Sequence, residues 1–257
     1  MPIDQNGAAP SAPTDVQLGS LADLIKYTDE TDYHRLILVY SKPGVGKTYL
    51  LGTTLAAGKK VLVLDCDLGG SETLDQLHVP YIRVETFSEF SNICTQLKAG
   101  GADEYDVIGI DTGTGLQTGL IQEIEAERPG IDNRQLYGEV LRRMRYELYE
   151  LRKQNVAIVV TAHEREDFIG DGDARRLSKV TPGFSPGVTE GLNRIASVVC
   201  RLTLRQRDDP QEGESPWVRV LQFQEMPIYQ TKSRSGNFPA AMVEPTMGKI
   251  LAALEGR

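Results

Sequence analysis

The sequence predicts an α/β fold: a mostly parallel central sheet flanked by helices and extended by a C-terminal antiparallel hairpin. Three observations predict it. Short continuous apolar runs recur at 36–40, 61–64, 107–110 and 156–160, the mark of parallel strands covered on both faces. Helical stretches separate them, as parallel connections require. Two further strand-like runs, 198–204 and 217–223, are joined by the polar segment RQRDDPQEGESP and read as a hairpin extending the sheet.

Taken in order, residues 1–18 are rich in Pro, Ala, Asp and Gln without periodicity, which predicts a disordered tail, with 19–257 forming a single domain. Ser20 is expected to cap a short helix over 21–27. The run LILVY at 36–40 is too short for a helix and is flanked by turn signals, so it reads as a buried strand. The clearest helix spans 133–153, where Leu136, Val140, Met144, Leu148 and Leu151 recur at helical spacing. Arg142, Arg143, Arg145 and Arg152 lie mostly off that stripe and read as a solvated face rather than a nucleic-acid patch. Residues 164–191 hold many Gly, Pro and charged residues with no period and are expected to be a long functional loop. No internal repeat is evident.

The chain has 257 residues, 40% apolar and 25% charged, which excludes disordered, collagen-like and coiled-coil classes. No apolar run approaches the roughly 18 residues of a membrane span, and the N-terminus has no signal-peptide pattern, so a cytoplasmic protein without membrane partners is expected. Cys66, Cys94 and Cys200 are far apart, without a C-x-x-C pair, and are expected to be reduced thiols packed as small apolar residues. A net charge of −8 argues against holding duplex DNA by bulk positive charge.

Directly after the first strand stands Ser41-Lys42-Pro43-Gly44-Val45-Gly46-Lys47-Thr48, followed by the helix-like TYLLGTTLAA. This is a phosphate loop in its proper context. Gly44 and Gly46 let backbone N–H groups turn toward phosphate oxygens, and the following helix adds its dipole. Lys47 is expected to reach the β- and γ-phosphates of ATP and Thr48 to place its hydroxyl on Mg²⁺. Ser41 stands where the first glycine is usual; with Pro43, Val45 and Tyr49 it completes the expected nucleotide contacts. Asp111, ending YDVIGID, is expected to hold the magnesium shell from a strand beside the phosphate-loop strand, with Asp65 as its rival. Asp67 is expected to orient or deprotonate water, with Glu72 as alternative, although Glu72 reads better as part of a helix start capped by Ser71. His163, after the fourth strand, is placed to donate to the γ-phosphate or else to serve structure; His34 and His78 carry no such context.

Together PGVGKT, DCDLGGSETL, YDVIGIDT, LYGEVLRRM, VVTAHE and TKSRSGNFP resemble a RecA-like ATPase, and most the phage nucleotide-binding proteins of the AAA_24 type, which include RecA-like single-strand annealing proteins. The resemblance spans about 36–239. It implies a RecA-like P-loop fold, Mg²⁺-dependent ATP hydrolysis, a homo-oligomeric ring or filament, single-stranded DNA as partner in phage-type recombination, and a place for a single-strand-binding protein, in the host cytoplasm if phage-encoded. Asp67 stands where that family usually has Glu. The resemblance also implies that Lys232 and Arg234 form a K-x-R finger inserted into a neighbour's ATP site. It implies DNA binding by the segment after His163, which carries Arg165, Arg175, Arg176 and Lys179 with Phe168 and Phe184, interleaved with Glu164, Glu166, Asp167, Asp171 and Asp173.

Two other readings stand beside this one. The loop also resembles the K-G-G-x-G-K-T loop of partition-type ATPases, in which Lys42 would cross a dimer to the partner's nucleotide; Pro43 in place of a glycine and the short spacing to Asp111 count against it. The third is a nucleotide-gated DNA-binding module with little hydrolysis.

Overall fold

Side chains that alternate in direction along each strand build the sheet from both sides. In β1 (Leu36–Ser41), Leu36, Leu38 and Tyr40 enter one apolar cluster while Ile37 and Val39 enter another, as period-two geometry demands. The computed structural model describes residues 35–67, 69–210, 215–234 and 237–256; the tail at 1–18, the helix at 21–27 and His34 lie outside them. β2 (Val61–Asp65) and β4 (Val107–Asp111) are buried end to end, and β5 (Ala157–Ile169) is buried along its first half. With β3 (Tyr81–Arg83) and β7 (Val198–Gln206) they form a parallel sheet in the order β3-β2-β4-β5-β1-β7.

One face is covered by α1 (Lys47–Ala56), α2 (Ser71–Gln76) and α7 (Met247–Leu254), which contribute Leu50, Leu51, Leu74, Met247 and Ile250 to the core. The other is covered by α3 (Phe87–Lys98), α4 (Gly113–Glu127), α5 (Asn133–Leu151) and α6 (Pro186–Ile195). The predicted stripe of α5 is buried throughout, and the helix ends two residues before the expected boundary. Two of its arginines find partners in their own chain: Arg142 and Arg143 both bond Glu139, and Arg143 also reaches Glu127. β8 (Trp217–Gln222) pairs antiparallel with β7, and β10 (Ala241–Val243) with β8, so the predicted hairpin extends the sheet. β9 (Lys232–Ser233) pairs antiparallel with the start of β7. Cys94 and Cys200 are buried and Cys66 is half-buried, all three unbridged, and burial pushes their thiols up.

Three expectations are corrected. Residues 164–191 are not a loop: β5 continues to Ile169, a short 3-10 turn at Gly172–Ala174 reverses the chain, and β6 (Arg176–Pro182) returns antiparallel before α6 begins. Ladder bonds and ion pairs, not an apolar period, hold this hairpin, which is why no period is visible in its residues. Ser71 does not cap α2. Gly70 already has helical dihedrals (φ −82°, ψ −30°), so Ser71 lies inside the first turn and its Oγ accepts from Arg83 at 3.4 Å. Finally, the Asp111 strand is not beside the phosphate-loop strand, because β5 lies between β4 and β1.

Candidate nucleotide site

The parallel strands bring their C-terminal ends to one edge, where open α/β sheets bind ligands. Register fixes the heights: Ser41 lies opposite His163, and Asp65 opposite Asp111. A cavity of about 380 Å³ opens there, lined by the phosphate loop together with Asp67, Gly70, Asp111, His163 and Arg219.

The loop joins β1 to α1. Gly44 (φ 76°) and Gly46 (φ 107°) take left-handed conformations that a side chain would strain. Lys47 is buried, its Nζ donating to Ser41 Oγ (3.3 Å) and to the Lys42 carbonyl (3.4 Å). Ser41, which replaces the usual glycine, thus serves as an anchor for the lysine. Burial pulls the Lys47 amine below its ordinary range, and the nearby carboxylates of Asp111, Asp67 and Glu164 oppose that shift.

Thr48 Oγ1 donates to Asp111 Oδ2 at 2.6 Å. Asp111 reaches across β5 because the residue beneath it there is small and polar: Thr161, whose hydroxyl bonds the other carboxylate oxygen. Asp65 does something different. It is buried, its Oδ1 accepts the Asp67 amide at 3.3 Å, and its Oδ2 has no partner among the described residues; burial raises its carboxyl above the usual range. Gly70 packs onto both acids, since a Cβ there would stand 3.0 Å from Asp65 Oδ1 and 3.4 Å from Asp111 Oδ2. A threonine hydroxyl joined to a carboxylate is an all-oxygen donor set of the kind Mg²⁺ takes.

Asp67 Oδ2 lies 3.1 Å from His163 Nε2, and both side chains face the cavity. The His163 backbone N–H donates to Thr114 Oγ1 at 3.2 Å, which fixes the strand end. Glu72 is exposed on the first turn of α2 and His78 on the turn after it, neither of them lining the cavity.

Lys42 points elsewhere. Its amine pairs with Glu166 at 2.7 Å on the β5–β6 hairpin, which raises its pKa. The crossing lysine of the partition-type reading is thus engaged within its own chain. Lys232 and Arg234 donate to the carbonyls of Asn193 and Arg194 at the C-terminal end of α6, where cations suit a helix. Lys232 pairs with Val199, which pairs with Leu38, three residues before Ser41. That is about 10 Å toward the strand starts, away from the phosphate loop of the same chain.

On the hairpin, Phe168 is exposed, and the Arg175 guanidinium lies 4.5 Å from its ring centroid. Arg175, Arg176 and Lys179 are exposed, whereas Arg165 is tied to Asp167 (3.1 Å) and to the Phe184 carbonyl (3.0 Å). Phe184 is corrected as a base-stacking residue: it is fully buried against Gly113 at the start of α4. Arg219 on β8 has no counterpart in the sequence reading. Only the β7–β8 register places it over the phosphate loop, and no motif announces it.

A family model described as an AAA domain matches residues 34–235. Among solved structures, the crystal structure of the RadB recombinase is similar at 21% identity, covering 74% of this chain and 80% of that chain with a TM-score of 0.45. No curated protein matches the chain.

Proposed function

The chain belongs to the AAA domain family, and from that premise we propose that it is a Mg²⁺-dependent, RecA-like P-loop ATPase that works as a homo-oligomer on single-stranded DNA in phage-type recombination or annealing, in the cytoplasm. The observation that carries the ATPase reading is the juxtaposition of Lys47 and the Thr48–Asp111 pair with the Asp67–His163 pair across one cavity.

The P-loop amides and Lys47 hold the β- and γ-phosphates. Thr48 and Asp111 would hold Mg²⁺, which would supply charge neutralisation at the phosphate oxygens. Asp67 accepts the proton of the attacking water as its oxygen bonds to the γ-phosphorus and the bond to the β–γ bridging oxygen breaks, giving ADP and inorganic phosphate. His163 keeps Asp67 oriented and, lying at the root of the β5–β6 hairpin, carries the state of the γ-phosphate toward it. Lys232 and Arg234, about 10 Å along the strands from their own phosphate loop, serve a neighbouring copy on giving up the Asn193 and Arg194 carbonyls that hold them in the single chain.

The hairpin tip carries the DNA reading: Arg175 stacked on exposed Phe168, with Arg176 and Lys179 beside them, offers a ring to bases and cations to backbone. The test is anisotropy with a labelled oligothymidine in the presence of Mg²⁺-ATP. The Arg175→Ala/Arg176→Ala double variant should lose most of the binding at unchanged thermal stability; undiminished binding refutes the DNA assignment.

A further inference from the structure

We infer that Arg219, carried on the C-terminal antiparallel extension, is a nucleotide-binding residue that grips the part of the polyphosphate common to ATP and ADP. This rests on the nucleotide reading above and adds to it a residue from outside the phosphate loop, the strand-end acids and the finger. Pairing of Leu204 with Arg219 across β7 and β8, and the bond from the Glu244 amide to the Arg219 carbonyl, fix its backbone.

From there the guanidinium lies against the phosphate loop. Nε donates to the Val45 carbonyl at 3.0 Å, and the central carbon lies 4.5 Å from the Tyr49 ring centroid. The contact leaves no room at Gly46, where a Cβ would stand 2.5 Å from Nε. Gly46 is required by its left-handed backbone, and a side chain there would also push the arginine off the loop.

Anchoring uses one donor. The two terminal nitrogens have no partner among the described residues, and the side chain lines the same cavity as Lys47 and Thr48. A planar fork of free N–H donors in the cavity that the phosphate loop lines is suited to oxygen anions. Asp67, His163 and Asp111 define the γ-phosphate end of the cavity. Arg219 stands at the Val45–Tyr49 flank instead, so it meets the α- and β-phosphates. The ring of Tyr49 packs on the guanidinium and limits the freedom lost on binding.

The test is calorimetric titration of the full chain with Mg²⁺-ADP and with Mg²⁺-ATP, alongside steady-state turnover and thermal unfolding without nucleotide. Arg219→Ala should weaken both nucleotides about 10- to 100-fold, the range of a charge-assisted hydrogen bond, raising KM while kcat at saturating ATP stays within about threefold. Arg219→Lys should recover part of the affinity, because it keeps the charge but not the fork. Wild-type affinity for ADP in Arg219→Ala overturns the inference. So does a loss confined to ATP, or a loss that tracks a fallen nucleotide-free Tm and is absent in Arg219→Lys. A wild-type chain that binds neither nucleotide overturns the nucleotide reading itself, an outcome distinct from the other three.

Discussion

Two phenylalanines of the segment after His163, alike in sequence, are predicted to fail in opposite ways when truncated. Phe184 is fully buried, and its ring lies so close to the first turn of α4 that a Cβ on Gly113 would come within 3.0 Å of Cζ. Phe184→Ala removes a ring that its surroundings cannot close over, at a cost of about 3–5 kcal/mol. That is a large share of a domain's typical total of about 5–15 kcal/mol, and at about 2–4 °C per kcal/mol it lowers Tm by about 6–20 °C. Phe168 is 43% exposed, so Phe168→Ala should leave stability within about 0.5 kcal/mol while losing the stacking of about 1–3 kcal/mol that a base gains on an aromatic ring. Urea denaturation measures the first effect and anisotropy of a labelled oligothymidine the second. A Phe184→Ala protein of wild-type stability, or a Phe168→Ala protein that unfolds early, refutes the burial argument; a Phe168→Ala protein with unchanged DNA affinity refutes the hairpin assignment.

Other outcomes follow from the same geometry. Asp67→Asn should reduce kcat at least 100-fold, the scale of a lost general base, with ATP affinity within about threefold by calorimetry; retained turnover removes Asp67 from the mechanism. Mixing Lys47→Ala with Lys232→Ala protein should restore turnover that neither shows alone, since the first keeps a finger and the second a site; an inactive mixture argues against action in trans. Arg142 and Arg143 hold the Glu139 carboxyl down to about 2. A folded-state pKa below the unfolded one adds stability above the unfolded value and loses it as pH falls toward the folded one. Glu139→Gln should therefore cost about 0.5–1 kcal/mol at pH 7, a modest figure for side chains open to solvent, and the cost should fade as pH falls through about 2, as read by denaturation across pH.

Legibility in the sequence followed the kind of force involved. β1, β2, β4 and the first half of β5 were readable because burial on both faces demands unbroken apolar runs. The phosphate loop was readable because its backbone needs glycines at fixed positions. The outer half of β5 was not, since EREDFI is held by ladder bonds and by partners distant in sequence: Arg201, 2.9 Å from Glu164, and Lys42, 2.7 Å from Glu166. α3 carries a local signal at its start, the capping box of Thr86 and Glu89. Asp111 ends a readable apolar strand and its carboxylate meets Thr48, but the strand between them depends on sheet order, which no local pattern encodes. Arg219 was illegible for the same reason, because its place over Val45 comes from register across two strands.

The central claim is that the cavity at the strand ends hydrolyses ATP. It is tested most directly by Mg²⁺-ATP turnover of the purified chain with and without single-stranded DNA, with Lys47→Ala as the blank and oligomeric mass recorded alongside. The account predicts turnover in an oligomer that rises with single strands and vanishes in Lys47→Ala; turnover indistinguishable from that blank under both conditions contradicts it.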